Sequence, residues 1–373
     1  MCVLNKIYEN YSTSQKMEPL FVNSTLLGQP LSQRIRANSD AGYRGTLLGN
    51  GFKLLKQMKN VLTDVFNLKS GGLQAEINHN GKLEDEVIHK AWAETMGSRP
   101  YDREVIKLAT RMAWVNYSIF KKSKADVFTD LGVRWQDDVA VFDPVSAVYK
   151  PGYAILVDHI SSSVIVCFRG TTVTSRNFTD LATDLDHELN EPRLGGGYCH
   201  SGMLTSATAF ITEHTNTVKY MLEKYPEHRL IITGHSLGGG VASLVGYNLR
   251  TQFPRLTVFT YGCPCVMSRD LTLECEKFVY TFINGDDIVS RLSEHSMNAL
   301  LDKLAGKPIR DCTPHTLTPV GKIYQIRFIA DKFYIEEGIC HENYCKLIIN
   351  NNIFEDHFMD RYVTSLQYLV GLK

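Results

Sequence analysis

From residue 139 onward, short apolar runs alternate with longer amphipathic stretches. The runs are "VAVFD" (139–143), "YAILVDH" (153–159), "VIVCFRG" (164–170), "LIITG" (230–234), "LTVFTYG" (256–262), "FVYTFIN" (278–284), "KIYQIRFIA" (322–330) and "KFYIEEG" (332–338). Their length and their β-branched and aromatic content predict strands. Helical spacing of apolar residues marks "REVIKLATRMAWVNYSIF" (103–120) and a stretch over 203–224. Two more helices are expected, one from the glycines after position 237 to about Gln252, ended by Pro254, and one at the C-terminus. Strands that are apolar throughout are buried on both faces, and strands alternating with helices build a largely parallel sheet. The expected fold class is α/β, a mostly parallel central sheet with helices on both faces.

The first 85 residues break this rhythm, being rich in Ser, Asn and Gly and poor in periodic segments. One exception is "GFKLLKQMKNVLTDVF" (51–66), with Leu55, Met58, Leu62 and Val65 at helical spacing and Lys53, Lys56 and Lys59 beside them. That segment could lie on a lipid surface or dock on the main domain, and its short length and modest charge favour docking. The reading is therefore a partly irregular extension over 1–85 and one large domain over 86–373. At 373 residues and 44% hydrophobic, the chain can bury a large core.

Charge and cysteine content narrow the partners. Forty basic and forty acidic residues cancel, so no global field draws nucleic acid. The start "MCVLNKIYENYSTSQK" has no apolar core typical of a secretory leader, and no apolar run approaches the ~20 residues of a membrane span. A cytoplasmic location, peripheral on membranes or lipid droplets at most, is expected, and the N-x-S/T matches at Asn10, Asn23, Asn116 and Asn177 are then chance tripeptides. Nine cysteines, several inside apolar runs, read as reduced thiols. "CHENYC", with Cys340, His341 and Cys345, lacks a fourth ligand for zinc, so neither metal nor cofactor is expected.

The chemistry concentrates in "LIITGHSLGGGVASLV" (230–245), where a predicted strand meets a predicted helix. Gly234-His235-Ser236-Leu237-Gly238 fits G-x-S-x-G in the strand–turn–helix setting the motif requires. The turn is so tight that its flanking positions must lack bulk, and it thrusts the serine Oγ out above the sheet. An N-capping serine in a glycine-rich helix start is the competing reading. A nucleophilic serine needs a base and an orienting acid, in this fold in the order Ser, acid, His. Downstream, Asp286 and Asp287 follow the strand "FVYTFIN", and His357 in "NNNIFEDHFMDRY" follows the last strand and starts the last helix. His295 follows the acid too closely, His315 lies in a Pro/Thr-rich loop, and His341 stands beside cysteines. The oxyanion donors are expected to be the backbone N–H of Leu237 and that of Thr171, after the strand ending in Arg169-Gly170. Arg169 would lock that loop rather than touch substrate.

Together "FRGTT", "NFTDLATDL", "CHSGM", "ITGHSLGGGVASL", "NGDDIVSRL" and "FEDHFMDRY", in this order, resemble the class 3 (fungal-type) lipases, with greatest similarity to the diacylglycerol lipases. The resemblance spans about residues 100–370. It implies an α/β-hydrolase fold, Ser236 as nucleophile, Asp287 as the acid and His357 as the base, with Thr171 and Leu237 as the oxyanion hole. It also implies a lid over roughly 173–197, with Val173, Phe178 and Leu181 as its apolar inner face and Gly195–Gly197 as a hinge; an ordinary surface loop is the alternative. Ser290 stands where the family often has proline, and residues 1–100 contain no run apolar enough to be expected as the membrane-spanning bundle that precedes the domain in animal diacylglycerol lipases. The implied substrate is a glycerolipid acyl ester met at a membrane or droplet surface. A phospholipase acting at the primary acyl position, a soluble esterase and a non-catalytic lipase-fold binding protein remain alternatives.

Overall fold

Each apolar run forms a strand of one sheet. The computed structural model describes residues 101–170 apart from 122, 123 and 148, and residues 193–372 apart from 305, 306, 310 and 349–351. The N-terminal extension, its 51–66 segment and the boundary at 85 lie outside the described residues. The sheet strands are β1 (Val139–Asp143), β2 (Tyr153–Asp158), β3 (Ser163–Phe168), β4 (Arg229–His235), β5 (Thr257–Tyr261), β6 (Val279–Asn284), β7 (Lys322–Ile329) and β8 (Lys332–Glu337). Their order in space follows their order in the chain. Pairing from β3 through β7 is parallel, whereas β1–β2, β2–β3 and β7–β8 are antiparallel. The expected mostly parallel centre is thus flanked by antiparallel edges, where hairpin-length connections replace helical crossovers.

Alternating side chains divide the core between the two faces. Tyr153, Ile155, Val157, Val164, Val166 and Phe168 pack with Met203, Ala207 and Phe210 of helix α2 (Ser201–Lys224) and with Val241, Leu244 and Val245 of α3 (Leu237–Leu249). On the other face Ala154, Leu156, Ile165, Cys167, Ile231 and Phe259 meet Ile106, Ala109 and Met112 of α1 (Arg103–Lys121) and Tyr362, Val363 and Leu366 of α4 (Met359–Leu369). Every residue of β2 and β3 is buried, which is why both read as unbroken apolar runs rather than alternating ones. Burial at roughly 25 cal/mol per Å² makes this two-sided core the main stabilising term. Among the described residues, no helix is long and apolar enough to cross a membrane.

This topology turns the carboxyl ends of β3, β4, β5 and β6 to one edge, where open α/β sheets carry their reactive groups. His357 reaches the same edge from the opposite direction. It lies in the turn immediately before α4, which starts at Met359 rather than at the histidine itself.

Candidate active site

Ser236 sits between β4 and α3 with φ 56° and ψ −130°, a conformation a non-glycine residue adopts only under constraint. The constraints are visible. Its N–H donates to the Tyr261 carbonyl at 2.9 Å, and its own carbonyl accepts from the Gly239 N–H at 2.9 Å. The neighbours cannot carry side chains: a Cβ on Gly234 would lie 2.2 Å from the Gly238 carbonyl oxygen, and one on Gly238 would lie 2.5 Å from that of Phe168. The G-x-S-x-G spacing is therefore a steric consequence of folding a strand straight into a helix.

Ser236 Oγ lies 3.0 Å from His357 Nε2. On the other side of the ring, Nδ1 is 2.8 Å from Asp287 Oδ2 and 3.0 Å from Oδ1. A carboxylate accepts only, so Nδ1 carries the proton and Nε2 is left to accept from the serine hydroxyl. All three side chains are essentially buried, with 0%, 1% and 0% of Ser236, His357 and Asp287 exposed. Asp286, the neighbouring candidate, turns away and pairs with Arg327 at 2.6 Å.

Asp287 is held by more than His357. The Tyr362 hydroxyl donates to Oδ2 at 2.6 Å while accepting from the Asn284 N–H at 3.1 Å, and the Val289 N–H donates to Oδ1 at 2.8 Å. Burial on its own would raise this carboxyl, but its interaction with His357 and the donors from Tyr362 and Val289 outweigh that and hold it below the usual carboxylate range. Burial also pushes the Tyr362 phenol well up, and the adjacent carboxylate adds to that, so Tyr362 stays a donor.

The turn that carries His357 is fastened to the rest of the edge. His235, inside the serine motif, donates from Nε2 to the His357 carbonyl at 2.8 Å, and the two rings lie 4.6 Å apart. Asn284 Nδ2 donates to the Asp356 carbonyl at 3.3 Å, and the Asp286 N–H donates to the Asp356 carboxylate at 2.8 Å. Tyr362, Asn284 and Asp356 were not among the sequence candidates. Tyr362 carried a signal all the same: in α4 it shares the buried face with Met359, Val363 and Leu366, and a buried tyrosine hydroxyl must find a polar partner.

The Leu237 N–H opens α3, at the positive end of that helix and beside the serine. Thr171, Val173, Phe178 and Leu181 lie outside the described residues. Leading toward Thr171, Arg169 donates from Nη1 to the Pro144 carbonyl at 2.8 Å and from its backbone to Gly152 at 2.7 Å, as a loop-locking residue would. Gly195–Gly197 close a small hairpin, Arg193–Leu194 pairing with Gly197–Tyr198, and the Tyr198 N–H donates to Ser268 Oγ at 2.9 Å. These glycines thus lie in a hydrogen-bonded turn at the position where a hinge is expected. The other histidines are engaged elsewhere: His341 on the Gly321 carbonyl at 2.7 Å, His295 against Cys312 and His315 against the Tyr198 ring. Among the described residues, no group of three or more His, Cys, Asp or Glu side chains could hold a metal ion.

Residues 165–297 match the family model for lipase (class 3), a span that includes Ser236 and Asp287 and ends before His357. The chain is 30% identical over 184 residues to diacylglycerol lipase-alpha of Rattus norvegicus, covering 47% of this chain and 18% of that protein. It is 31% identical over 141 residues to a lipase of Rhizopus niveus, covering 36% of this chain and 35% of the other. The chain thus matches only a minor part of the length of either relative. The solved structure of lipase II from Rhizopus niveus superposes with a TM-score of 0.50 at 20% identity, over 70% of this chain and 96% of that one. That likeness carries the fold, which is of the α/β-hydrolase type.

Proposed function

We propose, from the match of residues 165–297 to the class 3 lipase family model, that the protein is a serine hydrolase cleaving acyl esters of glycerolipids through an acyl-enzyme. The observation that supports this most is the unbroken hydrogen-bonded line from Ser236 Oγ through His357 to Asp287, set at the start of a helix. His357 Nε2 takes the proton of Ser236 as Oγ attacks the acyl carbonyl, while Asp287 stabilises the imidazolium and fixes its tautomer. Negative charge on the former carbonyl oxygen turns toward the Leu237 N–H, with Thr171 as the second donor in this reading; one such donor is worth ~3 kcal/mol. Nε2 then protonates the departing glycerol oxygen, and the alcohol leaves. A water molecule gives its proton to the same nitrogen, attacks the acyl-enzyme and releases the fatty acid.

Ser236 and His357 are buried, so an ester carbonyl reaches Oγ only after the surroundings of the site rearrange. A substrate presented at a membrane or lipid-droplet surface can supply the apolar contacts that make such opening favourable, which supports peripheral action on lipid. The test is a panel of emulsified diacylglycerol, triacylglycerol and phospholipid, with a soluble short-chain ester as control. Wild type is expected to hydrolyse glycerides, with the rate rising once the substrate forms an interface. Ser236→Ala should lose about 10⁴-fold or more of that rate together with fluorophosphonate labelling. Labelling that persists in Ser236→Ala would move the nucleophile elsewhere, and turnover confined to the soluble ester would remove the lipid assignment.

A further inference from the structure

The last two strands of the sheet carry apolar surface out past the catalytic edge. β7 pairs in parallel with β6 as far as Ile326 opposite Asn284, then runs on through Arg327, Phe328 and Ile329 before turning back into β8. Three residues at ~3.3 Å each carry the hairpin about 10 Å beyond the end of β6, the strand that leads to Asp287. Tyr324, Ile326 and Phe328 alternate onto one face of β7. The first two are buried in the core formed with α1 and α4, whereas Phe328 is 59% exposed. Phe333 stands opposite it in the register with ring centroids 4.8 Å apart, and the ring of Tyr368 on α4, 47% exposed, lies 5.3 Å from that of Phe333. A single exposed apolar side chain is ordinary on a protein surface, but three aromatic rings in contact form a patch.

The hairpin is stiff and tied to the site. Ala330 and Asp331 close it with φ 47° and 61°, the left-handed pair of a two-residue turn that follows the twist of its strands. Arg327 Nη1 donates to the carboxylate of Asp286, the residue directly before Asp287, at 2.6 Å. Gln325 Nε2 donates to the Ile283 carbonyl at 3.2 Å and the Gly285 carbonyl at 2.8 Å. Whatever holds the tip therefore holds the acid-bearing loop with it. Asp331 and Lys332 are both exposed and cancel in charge, so the tip presents aromatic surface without a net field.

We propose that Phe328, Phe333 and Tyr368 form an anchor that seats the protein on a lipid bilayer with its catalytic edge toward the lipid. The occupant follows from the site, so the inference rests on the glycerolipid reading above: an ester held in a lipid aggregate must approach Ser236 from the edge that this hairpin overhangs. Such side chains suit the bilayer interface, where rings leave water and a tyrosine hydroxyl keeps a polar partner. The anchor then sets the orientation of the whole molecule on its substrate, independently of how the buried serine is uncovered.

The test has two arms, both on the full-length protein. In the first, Ser236→Ala protein, which leaves the lipid intact, is floated with vesicles of phosphatidylcholine and diacylglycerol. It should bind in high salt as in low, and Phe328→Ser in that background should weaken binding about tenfold. Adding Tyr368→Ser should weaken it further. Both positions are exposed, so the variants should keep the parent Tm. In the second arm, Phe328→Ser with Ser236 intact should need about tenfold more emulsified diacylglycerol to reach half its maximal rate, while turning over a soluble short-chain ester at the wild-type rate. Failure of the Ser236→Ala protein to float, or unchanged flotation on adding Phe328→Ser, would overturn the proposal. So would binding that requires anionic lipid and vanishes in high salt. Self-association that Phe328→Ser abolishes without loss of vesicle binding would make the patch an interface between copies and likewise overturn it. A wild-type protein that cleaves no glyceride, yet loses flotation with Phe328→Ser, would uphold the anchor and remove the lipase reading.

Discussion

Asp287 is a buried carboxylate, so the three donors from His357, Tyr362 and Val289 are what make it a usable anion. Tyr362→Phe removes one donor and little volume. The remaining donors keep the acid in place, but its proton affinity rises. With the carboxyl held below the usual carboxylate range, this rise leaves it ionised at neutral pH, so kcat/KM should stay close to wild type at pH 7 and fall away from it as the pH drops into the carboxylate range. A purely structural role for the hydroxyl would lower the profile by the same factor at every pH. The same linkage fixes the stability contribution: a carboxyl held below its unfolded value stabilises above that value, and the contribution disappears as pH falls through the folded one. Gly262 is the tightest point behind this pair, with φ 56° and room for no Cβ, which would lie 2.5 Å from Asp287 Oδ2 and 2.8 Å from His357 Nδ1. Gly262→Ala should therefore cost at least about 100-fold in kcat by displacing both partners, measured alongside the rate of fluorophosphonate labelling.

Between elements, the contact that matters is the exit of β3 against the β4–α3 turn. A Cβ on Gly170 would lie 2.5 Å from the His235 carbonyl oxygen and 3.0 Å from Ser236 Cβ. Gly170→Ala should push the loop leading to Thr171 away from the serine while leaving Ser236, His357 and Asp287 in contact. If that loop supplies an oxyanion donor, kcat should fall by about 10²–10³ with little change in KM. An equal rise in KM with kcat retained would instead make this loop a substrate-binding wall. The α4 end of the site behaves differently, because His357 stands in the turn before that helix, and its position depends on the His235 and Asn284 hydrogen bonds rather than on helix geometry.

For the molecule as a whole, Asp356 sets a pH dependence opposite in sign to that of Asp287. Burial, with Asp286 and Asp287 nearby, raises its carboxyl to about 6, against lowering by the Asp286 N–H and Arg327. A group raised above its unfolded value contributes stability that is full below the unfolded value, ~4, and lost as pH rises through about 6. Asp356→Asn keeps an oxygen acceptor for the Asp286 N–H but carries no charge. Its Tm should match wild type near pH 4 and exceed it by several degrees at pH 8, as read by thermal denaturation across that range. A constant offset at every pH would show that packing, and not ionisation, is responsible.

The sheet, its covering helices and the serine turn were readable from the chain because each depends on neighbours a few residues away. Continuous apolar runs give doubly covered strands, helical spacing gives buried faces, and G-x-S-x-G follows from sterics between adjacent turns of backbone. The choice of partners was not local. Residue type and spacing left Asp286 and Asp287 equivalent; the family resemblance pointed to Asp287, and the fold separates the two physically, sending one to Arg327 and the other to His357. His357 meets Ser236 across 121 positions and Asp287 across 70, a juxtaposition set by the register of parallel strands and the path of the loop after β8. Tyr362 and Gly262 belong to the same class. Their residue types are ordinary, and their roles exist because tertiary packing brings distant segments within hydrogen-bonding distance, an arrangement short-range periodicity does not encode.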